Sequence, residues 1–134
     1  MGKEKINYSS QNATVIIWFH PDCKRCESQL NTINSNINRL SNARFFMLTD
    51  MDKYFKKDYQ KKWPRLQQAP NVQFGIINKN RFESEFGPVV KPSLFIFDSV
   101  GVLKEKLYGE IKAEKIHRLT QKTLVPEQDE NGPN

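Results

Sequence analysis

The chain contains two cysteines, and two residues separate them in the segment Cys23-Lys24-Arg25-Cys26. They follow an apolar run over residues 14–19 and precede a stretch with helical periodicity. A thiol pair where a strand passes into a helix is typical of a redox site. The unpaired N–H groups and partial positive charge at a helix N-terminus stabilise a thiolate, which is the species that attacks a disulfide. The spacing therefore predicts thiol–disulfide chemistry.

A structural disulfide and a zinc site are the other interpretations of this cysteine pair. A bond across two intervening residues closes a short loop, so it would remove little entropy from the unfolded chain. His20, Cys23, Cys26 and His117 could supply four zinc ligands. Structural zinc sites usually combine two closely spaced ligand pairs, however, and the second pair is missing from this sequence. We therefore favour redox chemistry and expect neither a metal nor a cofactor.

The composition argues against nucleic acid and membrane as partners. The net charge is +6, but lysines and arginines are interspersed with acidic residues. The basic pairs Lys56-Lys57 and Lys61-Lys62 fall in one predicted helix and indicate a solvated helix face. No apolar stretch approaches the roughly 20 residues of a membrane span. We expect no nucleic-acid partner and no stable membrane span.

The pattern of apolar residues predicts one domain over residues 13–125, between a flexible segment at 1–12 and a disordered tail at 126–134. Strands are predicted at 14–20, 44–50, 72–77, 92–98 and 102–108, with a further short strand considered at 5–8. Helices are predicted at 26–40, 51–63, 81–86 and 110–124, and a loop at 64–70. This order predicts an α/β fold with a mixed central β-sheet sandwiched by α-helices.

Three segments in this order resemble the thioredoxin superfamily over about residues 13–124. They are the run from Phe19 to Cys26, the segment Val89-Val90-Lys91-Pro92-Ser93, and residues 97–103 followed by Tyr108-Gly109. The extra stretch at 51–70 is more similar to the TlpA/ResA-like, redoxin-type branch. The resemblance implies a thioredoxin-like fold and a thiol–disulfide oxidoreductase. Its partners would be protein substrates and a redox partner protein, and it would need no cofactor.

The resemblance also implies roles for individual residues. Cys23 would attack a substrate disulfide, and Cys26, one helical turn further, would resolve the mixed disulfide. Pro92 would be a cis-proline that faces the thiols and offers backbone to a substrate strand, with Lys91 at the border of that groove. Phe19 and His20 are further candidates for substrate binding.

The sequence departs from the family pattern at Ile17, where small thioredoxins carry a buried acid. The proton acceptor for Cys26 must then lie elsewhere, and Glu27 and water are the candidates. Ile17 supports one alternative, a binding module whose redox function is vestigial. A second alternative is a redoxin-type peroxidase, although His20 stands where that class typically has Thr or Ser. Lys24 and Arg25 favour a thiolate, and the sequence leaves the direction of electron flow open.

The compartment is not fixed by two cysteines in a catalytic spacing. The start Met1-Gly2 ahead of Lys3 looks like an added initiator, which is consistent with removal of a natural export signal. This interpretation favours the bacterial periplasm over the cytoplasm. We expect the protein to be a monomer.

Overall fold

Five strands form one sheet in the computed structural model, which describes residues 12–20, 23–50 and 61–122. The strands are β1 (Ala13–Trp18), β2 (Ala43–Thr49), β3 (Val72–Ile76), β4 (Ser93–Phe97) and β5 (Leu103–Tyr108). Their order across the sheet is β3-β2-β1-β4-β5. The first apolar strand of the sequence, β1, therefore lies at the centre of the sheet.

The sheet is mixed, as the alternation of elements predicts. β1 pairs in parallel with β2, and β2 in parallel with β3. On the other side β1 pairs antiparallel with β4, which forms a hairpin with β5. In this register the end of β1 lies beside the start of β4, because Trp18 is opposite Ser93. The segment that leads to the cysteines thus lies next to the segment that contains Lys91 and Pro92.

Helices cover both faces of the sheet, which confirms the predicted α/β sandwich. The helices are α1 (Lys24–Asn36), continued by a 3-10 turn (Ile37–Leu40), then α2 (Pro64–Gln68), α3 (Lys79–Phe86) and α4 (Ala113–Lys122). The main core joins one sheet face to α1, α2 and α4. A second, more aromatic core joins the other face to α3. Trp18 stacks there on Phe82, with ring centroids 4.5 Å apart.

The side chains of β1 alternate between these two cores. Val15 and Ile17 belong to the main core, whereas Ile16 and Trp18 belong to the second core. Because both faces are covered, all six residues of β1 are buried, and all but Thr14 are apolar. β1 is therefore packed on both faces, and this packing fixes the position of the chain segment that follows it.

Several predicted boundaries need correction. The first strand ends at Trp18 rather than at residue 20, and the predicted loop at 64–70 contains the helix α2. Pro64 stands in the first turn of α2, where its missing N–H has no consequence. Most of the predicted helix at 51–63, the possible strand at 5–8 and the tail at 126–134 lie outside the described residues. Within the described ranges, no helix has the length and apolar character needed to cross a membrane.

Candidate active site

A short segment after β1 leads to the first cysteine. The Phe19 amide donates a hydrogen bond to the Leu48 carbonyl of β2 at 3.0 Å. The Cys23 amide then donates to the His20 carbonyl at 3.2 Å, and Cys23 itself is the N-cap residue of α1. Its extended backbone (φ −102°, ψ 121°) is what an N-cap position requires. The Cys23 side chain thus caps α1, because its sulfur accepts the Cys26 N–H.

Each sulfur accepts one hydrogen bond from a backbone amide. The Cys26 N–H donates to Cys23 Sγ at 3.2 Å, and the His20 N–H donates to Cys26 Sγ at 3.4 Å. Both cysteines are free thiols; Cys23 is half-buried, and Cys26 is 1% exposed. The two thiols of one helical turn therefore differ in access.

Burial raises the pKa of the Cys26 thiol to about 12, from an ordinary value of 9.0. Burial is the largest cause of this rise, and a hydrogen bond with the Cys23 sulfur and the negative charge of Cys23 contribute to it. The His20 N–H and the Lys91 charge act in the opposite direction, because both stabilise a Cys26 thiolate. Cys26 is consequently a neutral thiol at physiological pH while Cys23 remains free.

The second segment of the candidate site is the loop that enters β4. The Lys91–Pro92 peptide bond is cis, as predicted. Pro92 is buried, and its carbonyl accepts a hydrogen bond from the Gly109 amide at 2.9 Å. Lys91 is exposed, and its charge acts on the Cys26 thiol. The structure thus brings Lys91 into electrostatic range of the cysteine pair.

Two predicted substrate-binding residues lie next to the cysteines in different ways. His20 is half-buried and reaches Cys26 through its backbone N–H, a contact for which the sequence carries no signal. The substrate-binding role predicted for Phe19 needs correction, because its side chain is 1% exposed and belongs to the main core. Its ring meets Trp63 and Phe74 edge-on, with centroids 6.4 and 6.5 Å apart. The structure therefore places the Phe19 ring in the core and not at the surface of a substrate groove.

The position of the missing acid is filled by hydrocarbon. Ile17 is fully buried in the main core. Glu27, the alternative proton acceptor, forms an ion pair with Lys62 at 3.0 Å, and both side chains are substantially exposed. Among the described residues, the groups that act on the Cys26 thiol are Cys23, His20 and Lys91. No described carboxylate is therefore among the groups that act on the Cys26 thiol.

The proposed zinc set is not assembled by the described residues. No group of three or more His, Cys, Asp or Glu side chains within the described ranges is arranged to hold a metal ion. His117 lies on α4, and its ring approaches Gln121 of the same helix, with Nε2 atoms 3.4 Å apart. The arrangement of the cysteines is that of a dithiol with one accessible and one buried sulfur.

Comparison with known proteins gives matches in structure and none in sequence. No protein-family model and no curated protein matches the sequence. StoA from Bacillus subtilis is similar in structure with a TM-score of 0.63 and 12% identity, over 83% of this chain and 84% of that one. A thiol:disulfide interchange protein of the thioredoxin family from Chlorobium tepidum gives a TM-score of 0.63 and 15% identity, over 85% and 81%.

A third match is the exposed lipoprotein thioredoxin Etrx1 from Streptococcus pneumoniae. Its TM-score is 0.62 and its identity 11%, over 84% of this chain and 85% of that one. All three matches span more than four fifths of both chains. The chain has the thioredoxin-like fold, as the resemblance of its motifs implies.

Proposed function

We propose that this thioredoxin-fold chain is a thiol–disulfide oxidoreductase that exchanges disulfides with other proteins through Cys23 and Cys26. The observation that carries the proposal is the inequality of the two thiols. Cys23 is partly accessible and its sulfur accepts the N–H of Cys26, whereas Cys26 is buried with a pKa of about 12. Such a pair suits a nucleophile and a resolving thiol.

In the first step the Cys23 thiolate attacks one sulfur of a substrate disulfide. A bond forms between Cys23 Sγ and that sulfur, the substrate disulfide breaks, and the second substrate sulfur leaves as a thiolate that takes a proton from solvent. The backbone N–H of Cys26 stabilises negative charge on Cys23 before the attack. The product is a mixed disulfide, and the substrate has been half reduced.

The first step itself prepares the second. Two of the causes that raise the pKa of Cys26 are the charge of Cys23 and the hydrogen bond with its sulfur. Both weaken once Cys23 is a neutral disulfide sulfur, so the pKa of Cys26 falls. The His20 N–H and the Lys91 charge persist and favour the Cys26 thiolate. Deprotonation of Cys26 is thereby linked to formation of the mixed disulfide.

In the second step the Cys26 thiolate attacks Cys23 Sγ after giving its proton to solvent. The Cys23–Cys26 disulfide forms, the mixed disulfide breaks, and the substrate leaves as a thiolate that is then protonated. Two electrons pass from the protein dithiol to the substrate, which ends as two thiols. The reverse sequence oxidises a substrate dithiol, and the redox partner protein sets the direction.

His20, Lys91 and Pro92 are proposed to border the substrate, because their segments flank the two sulfurs. We propose a monomer that works on protein substrates outside the cytoplasm. The similar protein from Streptococcus pneumoniae is an exposed lipoprotein, which supports this compartment by analogy alone.

The test is reduction of insulin disulfides by dithiothreitol in the presence of the protein. The wild-type chain should accelerate insulin precipitation well above the rate with dithiothreitol alone. A Cys23→Ser, Cys26→Ser double variant should give only the uncatalysed rate. If the wild-type chain also gave the uncatalysed rate, the dithiol would be inactive. The presence of Ile17 in place of a buried acid would then favour a binding module.

A further inference from the structure

Three exposed cations lie on the two segments that meet at the candidate dithiol. Lys24 and Arg25 are exposed in the first turn of α1, between the two cysteines. Lys91 is exposed on the loop before β4. We call these three residues the basic rim. Within the described ranges, none of them forms an ion pair, since the ion pairs found there use Lys62, Lys79 and Lys104.

The sheet register explains why the two segments of the rim meet. β4 begins at Ser93, which is paired with Trp18 near the end of β1. The loop with Lys91 therefore enters the sheet beside the segment that leads to Cys23. The influence of the Lys91 charge on the Cys26 thiol is consistent with this placement. The cations consequently come from two segments of the chain that meet near the sulfurs, the first turn of α1 and the loop before β4.

Little described negative charge offsets the basic rim. Glu27, in the same turn of α1, is neutralised by Lys62 at 3.0 Å. Asp22 precedes Cys23 in the sequence and lies outside the described residues. The described carboxylates of this region are Glu27, paired with Lys62, and Glu110, which accepts a hydrogen bond from Ser28. Together with Lys62, the three cations of the basic rim outnumber these two carboxylates, so the described charge beside the sulfurs is net positive. Such a surface attracts an anionic partner and raises its rate of association, and salt screens the effect.

We propose that the partners of this dithiol are polypeptide segments that carry acidic residues beside the reacting cysteine. The proposal rests on the thiol–disulfide exchange proposed above and names the chemistry of its substrate. Exposed cations from two segments near the sulfurs fit a chain whose reacting cysteine has acidic residues as neighbours. Val90 is 54% exposed next to Lys91 and offers an apolar contact to such a chain, which a small anionic disulfide would not use.

The experiment uses two peptides whose single cysteine carries the same thionitrobenzoate leaving group. One peptide has Glu on both sides of the cysteine, and the other has Lys. Rates with the reduced protein are divided by rates with dithiothreitol, a neutral dithiol, to remove intrinsic differences between the peptides. We expect the acidic peptide to react about fivefold to tenfold faster at low ionic strength, with the ratio approaching one near roughly 0.5 M salt.

Charge-matched variants show whether the basic rim causes the preference. A Lys24→Gln, Lys91→Gln variant should reduce the ratio by about threefold. The control is Arg39→Gln, Arg65→Gln, which removes two exposed cations beside the far end of α1. That end lies about 15 Å along the helix axis from Cys26, beyond the screening length of roughly 10 Å at 0.1 M salt. The control should keep the preference.

Equal normalised rates for the two peptides would overturn the proposal, and so would equal loss of preference in the rim variant and the control. Oxidised glutathione tests the requirement for a polypeptide, because it is a small anionic disulfide. If oxidised glutathione reacted at a normalised rate equal to that of the acidic peptide, the proposal would also be overturned. Absence of exchange with every disulfide tested would instead overturn the proposed function, and this proposal with it.

Discussion

Cys26 is held as a neutral thiol by its surroundings. The side chain is 1% exposed, and burial is the largest cause of its raised pKa. With a pKa of about 12, the thiolate fraction at pH 7 is on the order of one in 100,000. A Cys26 thiol in this state is a poor nucleophile. The order of events in the proposed reaction, with Cys23 acting first, follows from this difference.

Alkylation of the reduced protein near neutral pH should therefore modify Cys23 first. We expect Cys23 to react with iodoacetamide at least about 100-fold faster than Cys26, because Cys26 lacks both solvent access and thiolate. Mass spectrometry of peptides from a time course measures both rates. The unfolded protein in urea is the control, and its two cysteines should react at similar rates. Faster alkylation of Cys26 in the folded protein would contradict the assignment.

The raised pKa of Cys26 also predicts how stability depends on pH. An unfolded chain releases the Cys26 proton near pH 9, whereas the folded chain keeps it to about pH 12. The contribution of this group to stability is thus complete below about pH 9 and is lost as pH rises toward 12. The loss has a slope of up to about 1.4 kcal/mol per pH unit.

Urea unfolding of the reduced protein at pH 8 and pH 10 measures this effect, with Cys26→Ala as the comparison. The wild-type chain should lose more unfolding free energy between the two pH values than the variant, which has no thiol to titrate at position 26. Other alkaline groups act equally on both proteins. Equal losses in the two proteins would show that Cys26 is not shifted.

At the scale of elements, the helix α2 depends on a side chain from another helix. The Asn34 Oδ1 atom of α1 accepts hydrogen bonds from the Arg65 and Leu66 amides, at 3.0 and 3.1 Å. These amides belong to the first turn of α2, where no intrahelical partner is available. Trp63 is the N-cap residue of α2 but supplies no side-chain cap. The cap is therefore provided across the packing of α1 on α2.

Replacement of Asn34 by Ala should lower the free energy of unfolding by about 1 kcal/mol, as loss of a cap does. Urea unfolding followed by circular dichroism measures the change. Asn38→Ala is the matched control, since Asn38 is exposed and makes no side-chain hydrogen bond within the described ranges. It should change stability by less than about 0.5 kcal/mol. A result in which both variants lost equal stability would count against the capping role.

Local signals in the sequence predict most of the sheet. The apolar runs and the closing hairpin give the five strands within one or two residues of their ends. The helix α2 is not predictable in this way. It is short, it begins at Pro64 and is followed by Pro70, and its cap comes from Asn34, about thirty residues earlier. The sequence also does not show that the Phe19 side chain is buried. A strand covered on both faces shows no alternation, so the sequence does not reveal which core each residue joins.

In the whole molecule, the fold places the dithiol at the edge of the sheet where β1 ends and β4 begins. The cysteine spacing predicts the nucleophile and the resolving thiol, since both lie in one local segment. It does not predict that Lys91, more than sixty residues later, acts on Cys26. That contact depends on the antiparallel pairing of β1 with β4, which is a property of the complete sheet.

The central claim is that Cys23 attacks the substrate and Cys26 releases it, and single-cysteine variants test it most directly. Reduced Cys26→Ser and Cys23→Ser proteins are incubated with insulin, and mixed disulfides are counted by mass spectrometry without reductant. We expect Cys26→Ser to accumulate mixed disulfides at least about tenfold above Cys23→Ser, because its nucleophile is intact and its resolving thiol is gone. Equal trapping by the two variants, or greater trapping by Cys23→Ser, would contradict the account.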